Sequence, residues 1–544
     1  MAEHGTGGPA PVAEVHVTPG GGWAPLRYPV FRRLWVAQFT SNVGSWMQTV
    51  AAQWVMTSLT SSTLLLSAIP AAGSIPVLLL AVPAGALGDL VDRRRLILVA
   101  QAGMLLASVA LAVSAGAGWL TPWLLLALLF LIGVGGAASA ATWQTLQPEL
   151  VPPEDRPQAI ALGSVNQNLA RAVGPAIGGI LLAATSAALV FLANAASFVA
   201  VLVAVAVTIF PARKRSLPRE HAAAAVRAGG RFVRNSPVLV ALIARSVAFV
   251  LLASAVWALL PVIARQRLGL GSAGYGLLLA CVGLGALAAA TFGPSLKRQL
   301  APRAIYALAC LVVAAAATIL AVTHSVAVAA LALIAAGAFW IIGLGLLGAA
   351  YQGQLPDWVK ARGVSYYLVA FQGSAGIGSL CMGAIAQATS VSTAFLIVAA
   401  GLTAATIATW RVALPEPVAI DHLLTEPLPL PELDQAVEDG PVLVTVEYAL
   451  APDTSDHFLG LGGELRRLRR RTGATRWHLH HDLEDADLFI ETFLVGSWLE
   501  HERQHALLER GDRNLLDQID LLLRPGRPRA AHHAIGIRPR KAAS

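Results

Sequence analysis

The chain has 544 residues, of which 56% are hydrophobic and only 13% charged, with a mean hydropathy of +0.64. Soluble domains carry about 25% charged residues, so this composition excludes a string of ordinary soluble globules. The net charge of +8 lies mostly in short connections between apolar runs, which points to a lipid bilayer and not to nucleic acid as the partner. Residues 1–30 are rich in Gly, Pro and Ala without an apolar core. They read as a flexible cytoplasmic tail and not as a signal peptide, leaving targeting to the first span.

A helix needs about 20 apolar residues to cross a bilayer core. Twelve runs qualify, at 34–58, 63–88, 96–116, 121–147, 159–183, 186–209, 238–263, 272–295, 303–323, 327–351, 364–388 and 391–411. Clusters such as Gly116–Pro122 and Ala184–Ser186 read as tight extracellular turns. Alternate connections collect the basic residues: Arg27, Arg32 and Arg33, then Arg93–Arg95, Arg156, Arg213 to Arg234, Lys297, Arg298, Arg303, Lys360, Arg362 and Arg411. The opposite side holds Arg265 and Arg267. The basic side is the cytoplasmic one, which places both termini in the cytoplasm of a multi-pass inner-membrane protein.

In the first span Gln38, Asn42, Ser45, Thr49 and Gln53 recur at helical spacing on one face, beside Trp46. Such a stripe suits a wet pathway that holds cargo by uncharged hydrogen bonds; the alternative is hydrogen bonding between helices. After the second span comes Gly85-Ala86-Leu87-Gly88-Asp89-Leu90-Val91-Asp92-Arg93-Arg94-Arg95. Gly85 permits close helix approach, and Asp89 can accept from a neighbouring helix N-terminus or an Arg. This segment resembles the cytoplasmic signature of the major facilitator superfamily, with Leu90 and Asp92 replacing its usual basic residue and later Gly. The resemblance implies that Gly85, Asp89, Arg93 and Arg94 gate the cytoplasmic side; Arg93–Arg95 would equally serve as topological anchors.

The fifth span carries Ser164, Asn168, Arg171, Pro175 and Gly178 on one face. Arg171 lies mid-span, where a charge costs at least about 2.5–3.5 kcal/mol, so it must face a polar cavity or a partner. It is read as a substrate anchor or gate residue, against a structural role in bonding neighbouring carbonyls. The run Ala170 to Gly179, with Gly174-Pro175 and Gly178-Gly179, resembles the antiporter signature of the same superfamily, Ala170 standing where the signature has Gly. That signature is associated with exporters, and its small residues permit close packing and a local bend. Gln372 and Gly376 on the eleventh span are the counterparts across an internal duplication. Gln144, Pro148 and Glu149 recur as Gln352, Pro356 and Asp357, and Gly85 recurs as Gly293 ahead of Lys297 and Arg298, all at an offset of 208 residues.

The expected fold class is therefore an all-α membrane protein. It is a twelve-span major facilitator fold of two six-helix bundles, 31–210 and 237–411, joined by a cytoplasmic linker at 211–236. No Asp, Glu or His lies inside any run. Proton coupling, which the antiporter resemblance implies, falls on rim carboxylates, with Glu149 and Asp357 as coupling candidates beside Asp89.

Residues 412–439 form a Pro-rich linker. Beyond it a βαββα pattern over 440–526 suggests a soluble α+β ferredoxin-like domain, with 527–544 left as a basic tail. The domain resembles the antibiotic-biosynthesis monooxygenase type of dimeric α/β barrel. The whole arrangement resembles the transmembrane secretion effectors, neighbours of the enterobactin-exporter-like proteins. His501 and His505 stand at i, i+4 without a third ligand and read as an exposed amphipathic helix; His478, His480 and His481 lie on a strand. No metal, cofactor or catalytic site is expected, and dimerisation or regulation is the expected role of this domain. The resemblance implies export of a small amphipathic compound, siderophore-like or drug-like, by alternating access. The alternative is a bifunctional protein whose tail modifies or senses the cargo.

Overall fold

Prolines and small polar side chains mark where the apolar runs become helices. Pro29, Pro122, Pro237 and Pro302 open four of them, where the missing N–H removes no helical bond. At five others or the same starts, Asp92, Thr121, Ser186, Ser325 and Ser390 accept from the backbone N–H three residues on, at 3.0 to 3.5 Å. A computed structural model of the chain describes residues 22–90, 92–208, 229–411, 414, 440–506 and 510–536.

Among the described residues, twelve helices of 19 to 32 residues precede the first strand. They are α1 (Pro29–Leu59), α2 (Thr63–Leu90), α3 (Arg93–Gly116), α4 (Pro122–Glu149), α5 (Arg156–Ala184), α6 (Ala187–Ala206), α7 (Pro237–Val262), α8 (Ser272–Gln299), α9 (Pro302–Val322), α10 (Val326–Gly353), α11 (Asp357–Ala388) and α12 (Val391–Thr409). Ten are long and apolar enough to cross a membrane; α1 and α5 are not among them. The difference from the twelve expected spans has a physical origin, because these two helices carry the polar stripes and, in α5, Arg171.

The helices gather into two compact units that cut across the sequence halves. One holds α1, α3 to α6 and residues 261–287, with α1 against α5 and α6, and α3 against α4 and α6. The other holds α2 to residue 86, most of α7, the end of α8, α9 to α12 and the C-terminal domain, with α9 packed on α10 and α12. Close contacts between helices of different sequence halves occur within each unit. In the first, a Cβ on Gly179 of α5 would lie 2.8 Å from the Gly276 Cα of α8. In the second, the Thr63 hydroxyl of α2 donates to the Gly383 carbonyl of α11 at 3.0 Å, and Gln387 accepts from the Thr63 N–H at 2.8 Å. The offset of 208 residues carries Gly383 onto Pro175 and Thr63 onto Gly271.

The C-terminal domain runs β1 (Val442–Ala449), α13 (Ser455–Thr472), β2 (Thr475–His481), β3 (Leu488–Val495), α14 (Trp498–Ala506), α15 (Arg510–Asp520) and β4 (Ala530–Ile535). The sheet is antiparallel in the order β2-β3-β1-β4. Alternation places Val442, Val444, Val446 and Tyr448 of β1 and Phe489, Phe493 and Val495 of β3 in one core with Phe458, Leu465 and Leu468 of α13 and Leu516 and Ile519 of α15. Fully buried Glu491 shares this face. It pairs with Arg469 through two bonds of 3.1 Å and accepts from Tyr448 at 2.8 Å and Trp477 at 2.6 Å. Four donors on one carboxylate satisfy a charge that would be costly alone.

β4 lies inside the stretch expected as a basic tail. Its sequence, with His532 and His533 at its centre, has no apolar alternation to announce it; it joins through backbone pairing with β1, His532 opposite Thr445. Nor is α14 an exposed helix: His501 is 1% exposed, its ring 4.6 Å from that of His505 and 4.8 Å from that of His533. Burial, with His505 and His533 alongside, pushes the His501 imidazole down to about 4.

A helical turn at 229–234 meets this domain. Arg231 pairs with Glu500 of α14 at 2.5 Å, and the Arg471 guanidinium sits 5.5 Å from the Phe232 ring. The same turn packs its Gly229 and Gly230 on Arg362 and Tyr366 of α11.

Candidate substrate pathway

Most of the candidate residues meet where α1 crosses α5. Gly174 and Gly178 lie one helical turn apart on α5 and let the backbones approach: a Cβ on Gly174 would stand 2.6 Å from the Trp46 Cβ, and one on Gly178 would stand 2.7 Å from the Met47 Cα. Pro175 and Gly179, rotated from them, face Ser272 and Gly276 of α8. The motif read as an exporter signature thus serves two interfaces, one with each neighbour.

That close approach puts Trp46 next to Arg171. The guanidinium carbon lies 5.6 Å from the indole centroid, within the range of a cation–π contact. Arg171 stands 15 residues in from Arg156 and 13 short of Ala184, at the middle of α5. Its Nε is buried, and among the described residues it meets no hydrogen-bond acceptor. Asn168, one turn earlier, is half-buried.

The rest of the first-span stripe divides. Gln38 donates to Asn42 at 3.1 Å, Asn42 donates to Asn166 of α5 at 2.8 Å, and Asn166 donates to the Trp35 carbonyl at 3.0 Å. These amides tie α1 to α5, the alternative reading of the stripe. Thr49 donates to the Ser45 carbonyl on its own helix at 2.8 Å, leaving both side chains half-buried. Gln53 accepts from the Tyr275 hydroxyl of α8, and close by Arg265 donates to Thr57 at 2.8 Å. Gln372 of α11 is half-buried in the other unit.

At the arginine-rich end, Arg93 of α3 pairs with Glu149 of α4 at 2.6 Å, so a gating candidate and a coupling candidate come together. Arg94 donates to the Ala206 carbonyl of α6. Asp155 accepts from Tyr28 at 2.8 Å and Arg27 at 2.7 Å, and those bonds hold its carboxyl below the usual range. The surroundings of Gly85 and the side chains of Asp89 and Asp357 lie outside the described residues.

One polar node escaped the sequence reading. Gln48 of α1 accepts from Ser108 of α3 at 2.9 Å and from Asn194 of α6 at 2.7 Å, all three buried. Gln48 lies off the Gln38–Gln53 stripe of its own run, and Ser108 and Asn194 are isolated polar residues in theirs, so no pattern joined the three. In the C-terminal domain His478 and His480 lie exposed with rings 6.0 Å apart, and the His481 ring stacks on Phe489. Among the described residues no group of three His, Cys, Asp or Glu is placed to hold a metal ion.

Residues 20–541 match the sequence profile of the family described as "Transmembrane secretion effector". The chain belongs to that family. The chain is 32% identical over 282 residues to the enterobactin exporter EntS of Shigella boydii serotype 4 and 31% identical to that of Escherichia coli UTI89. Each match covers 51% of this chain and 65% of the relative, so just under two thirds of the curated relatives' length is represented. Its fold resembles those of a POT family transporter crystallised with 5-aminolevulinic acid (TM-score 0.58, 12% identity, 70% of this chain and 94% of that one) and the nucleoside transporter NupG (0.57, 12%, 70% and 98%). A bacterial homolog of the lysosomal transporter Spinster scores 0.53 at 14% identity, covering 71% and 94%. At these identities the structures establish the fold alone; with the family match and the long apolar helices, they make the chain a multi-pass membrane protein of the major facilitator type.

Proposed function

We propose that the protein is a secondary transporter exporting a small amphipathic compound, siderophore-like or drug-like, from the cytoplasm across the inner membrane by alternating access. The observation that carries this reading is the α5 surface of Gly174, Pro175, Gly178 and Gly179. It meets α1 on one side and α8 on the other with almost no side chain between, a surface on which helices can rock. The resemblance to enterobactin exporters supports the outward direction. In this reading all twelve helices span the membrane, with α1 and α5 tolerated because their polar faces border a wet pathway. Both termini are cytoplasmic, and the Gln53–Tyr275 and Arg265–Thr57 contacts close the extracellular end.

No carboxylate or imidazole lies more than one residue inside the end of any of the twelve helices. Proton coupling therefore falls on end residues, Glu149 or Asp357, with Asp89 in the gate. Everted membrane vesicles carrying the protein should accumulate cargo when energised; vesicles that instead lose preloaded cargo to the medium overturn the direction.

The antiparallel order β2-β3-β1-β4 with α13 and α15 on one face supports a ferredoxin-like reading of the C-terminal domain, acting as a dimerising or regulatory element. Its open sheet face carries Leu443, 40% exposed, beside Leu488, Ile490 and Leu494, an apolar surface suited to a second copy. A bifunctional reading, in which His478 and His480 on that face act on the cargo, predicts altered cargo chemistry when they are replaced.

A further inference from the structure

We propose that Arg171 and Trp46 form the recognition point for an anionic group carried on an aromatic skeleton, so that the cargo are aromatic anions and not cationic drugs. The inference deepens the export reading and rests on it.

An arginine in the middle of a membrane helix persists only when its charge is answered. In the unit that holds Arg171, the described carboxylates are all at helix ends and engaged or exposed there. Glu149 pairs with Arg93, Asp155 takes Arg27 and Tyr28, Asp92 caps α3 through the Arg95 N–H, and Glu154 lies exposed before α5. The Arg171 Nε, buried without an acceptor among the described residues, is a donor held ready. The contact it does make, with the Trp46 ring, orients the guanidinium without neutralising it.

Among the described residues of this unit no carboxylate is left to answer Arg171, so its guanidinium is open to an anion entering the pathway. Guanidinium presents a planar fork that matches carboxylate, phenolate or sulfonate oxygens. The half-buried indole beside it offers a face for the ring bearing that group. Half-buried Thr49 and Asn168, three residues from Trp46 and Arg171 respectively, supply uncharged hydrogen bonds and no competing charge. A cationic aromatic would have to approach the Trp46 face against the charge of Arg171, which already occupies that neighbourhood.

The test uses full-length protein in lipid nanodiscs, with carboxyfluorescein, salicylate and 1-naphthoate as anionic probes and ethidium as the cation. Anionic probes should bind to the wild type. Arg171→Gln should weaken them about tenfold or more, the scale of one lost charge-assisted hydrogen bond, and Arg171→Lys should retain part of the affinity. Trp46→Leu should weaken the three aromatic anions while leaving inorganic sulfate unaffected. Arg171→Lys keeps the charge, so its partial binding separates recognition from misfolding. Equal binding by the wild type and Arg171→Gln, no anionic probe bound by the wild type, or a preference for ethidium overturns the proposal. Arg171-dependent binding without vesicle uptake sustains this site and defeats the export reading; Arg171-independent export of ethidium does the reverse.

Discussion

Gly178 of α5 and Met47 of α1 stand so close that a Cβ on the glycine would lie 2.7 Å from the Met47 Cα. The obstacle is backbone, which no rotamer change relieves. Gly178→Val should therefore separate the helices and lower stability by about 1–3 kcal/mol, the usual cost of overpacking. Thermal unfolding in detergent checks this, and Gly178→Ala should fall between the two. A Val variant as stable as the wild type and fully active would mean that the approach is not required.

The ion pair of Arg93 and Glu149 is partly open to solvent, with side chains 19% and 41% exposed. Its loss should cost at most about 1 kcal/mol of stability. If Glu149 couples transport to protons, Glu149→Gln should abolish uptake driven by a pH gradient while leaving cargo exchange at equilibrium intact. Undiminished gradient-driven uptake would move the coupling role to Asp357.

His501 gives the C-terminal domain a pH dependence of definite sign. Its imidazole is pushed down to about 4 by burial, against about 6.5 in an unfolded chain. The unfolded state therefore binds the proton first. The contribution is fully present above pH 6.5 and is lost as pH falls toward 4, by up to roughly 3 kcal/mol. His501→Gln should flatten this part of the stability profile, read by thermal unfolding of the full chain between pH 7 and 4.5. An unchanged profile would contradict the burial argument.

Arg231 and Glu500 join the turn at 229–234 to α14. Glu500→Arg should loosen the contact and raise protease cleavage between the last transmembrane helix and the domain, and the double exchange Arg231→Glu, Glu500→Arg should restore protection. Cleavage that does not follow the charge pattern would show that the pair does not hold the domain.

Much of the architecture was legible because membrane helices announce themselves through long apolar runs. The sheet of the C-terminal domain was partly legible for a similar reason: the alternation in β1 and β3 marks buried faces, whereas β4 is defined by pairing with β1 and leaves little trace in side chains. Arg171 stood out by its expense. Gln38 and Asn42 belonged visibly to a polar face, but periodicity does not distinguish water from Asn166 as what they meet. The Gln48 node was hidden because its three members are scattered one to a helix. The burial of His501 depends on β4, so missing the strand also concealed the histidine cluster.

The most direct measurement is uptake of carboxyfluorescein into energised everted vesicles, compared between the wild type and Arg171→Gln at equal protein levels. Rapid accumulation by the wild type and near-background accumulation by the variant are expected. Equal accumulation by both would contradict a pathway built around Arg171.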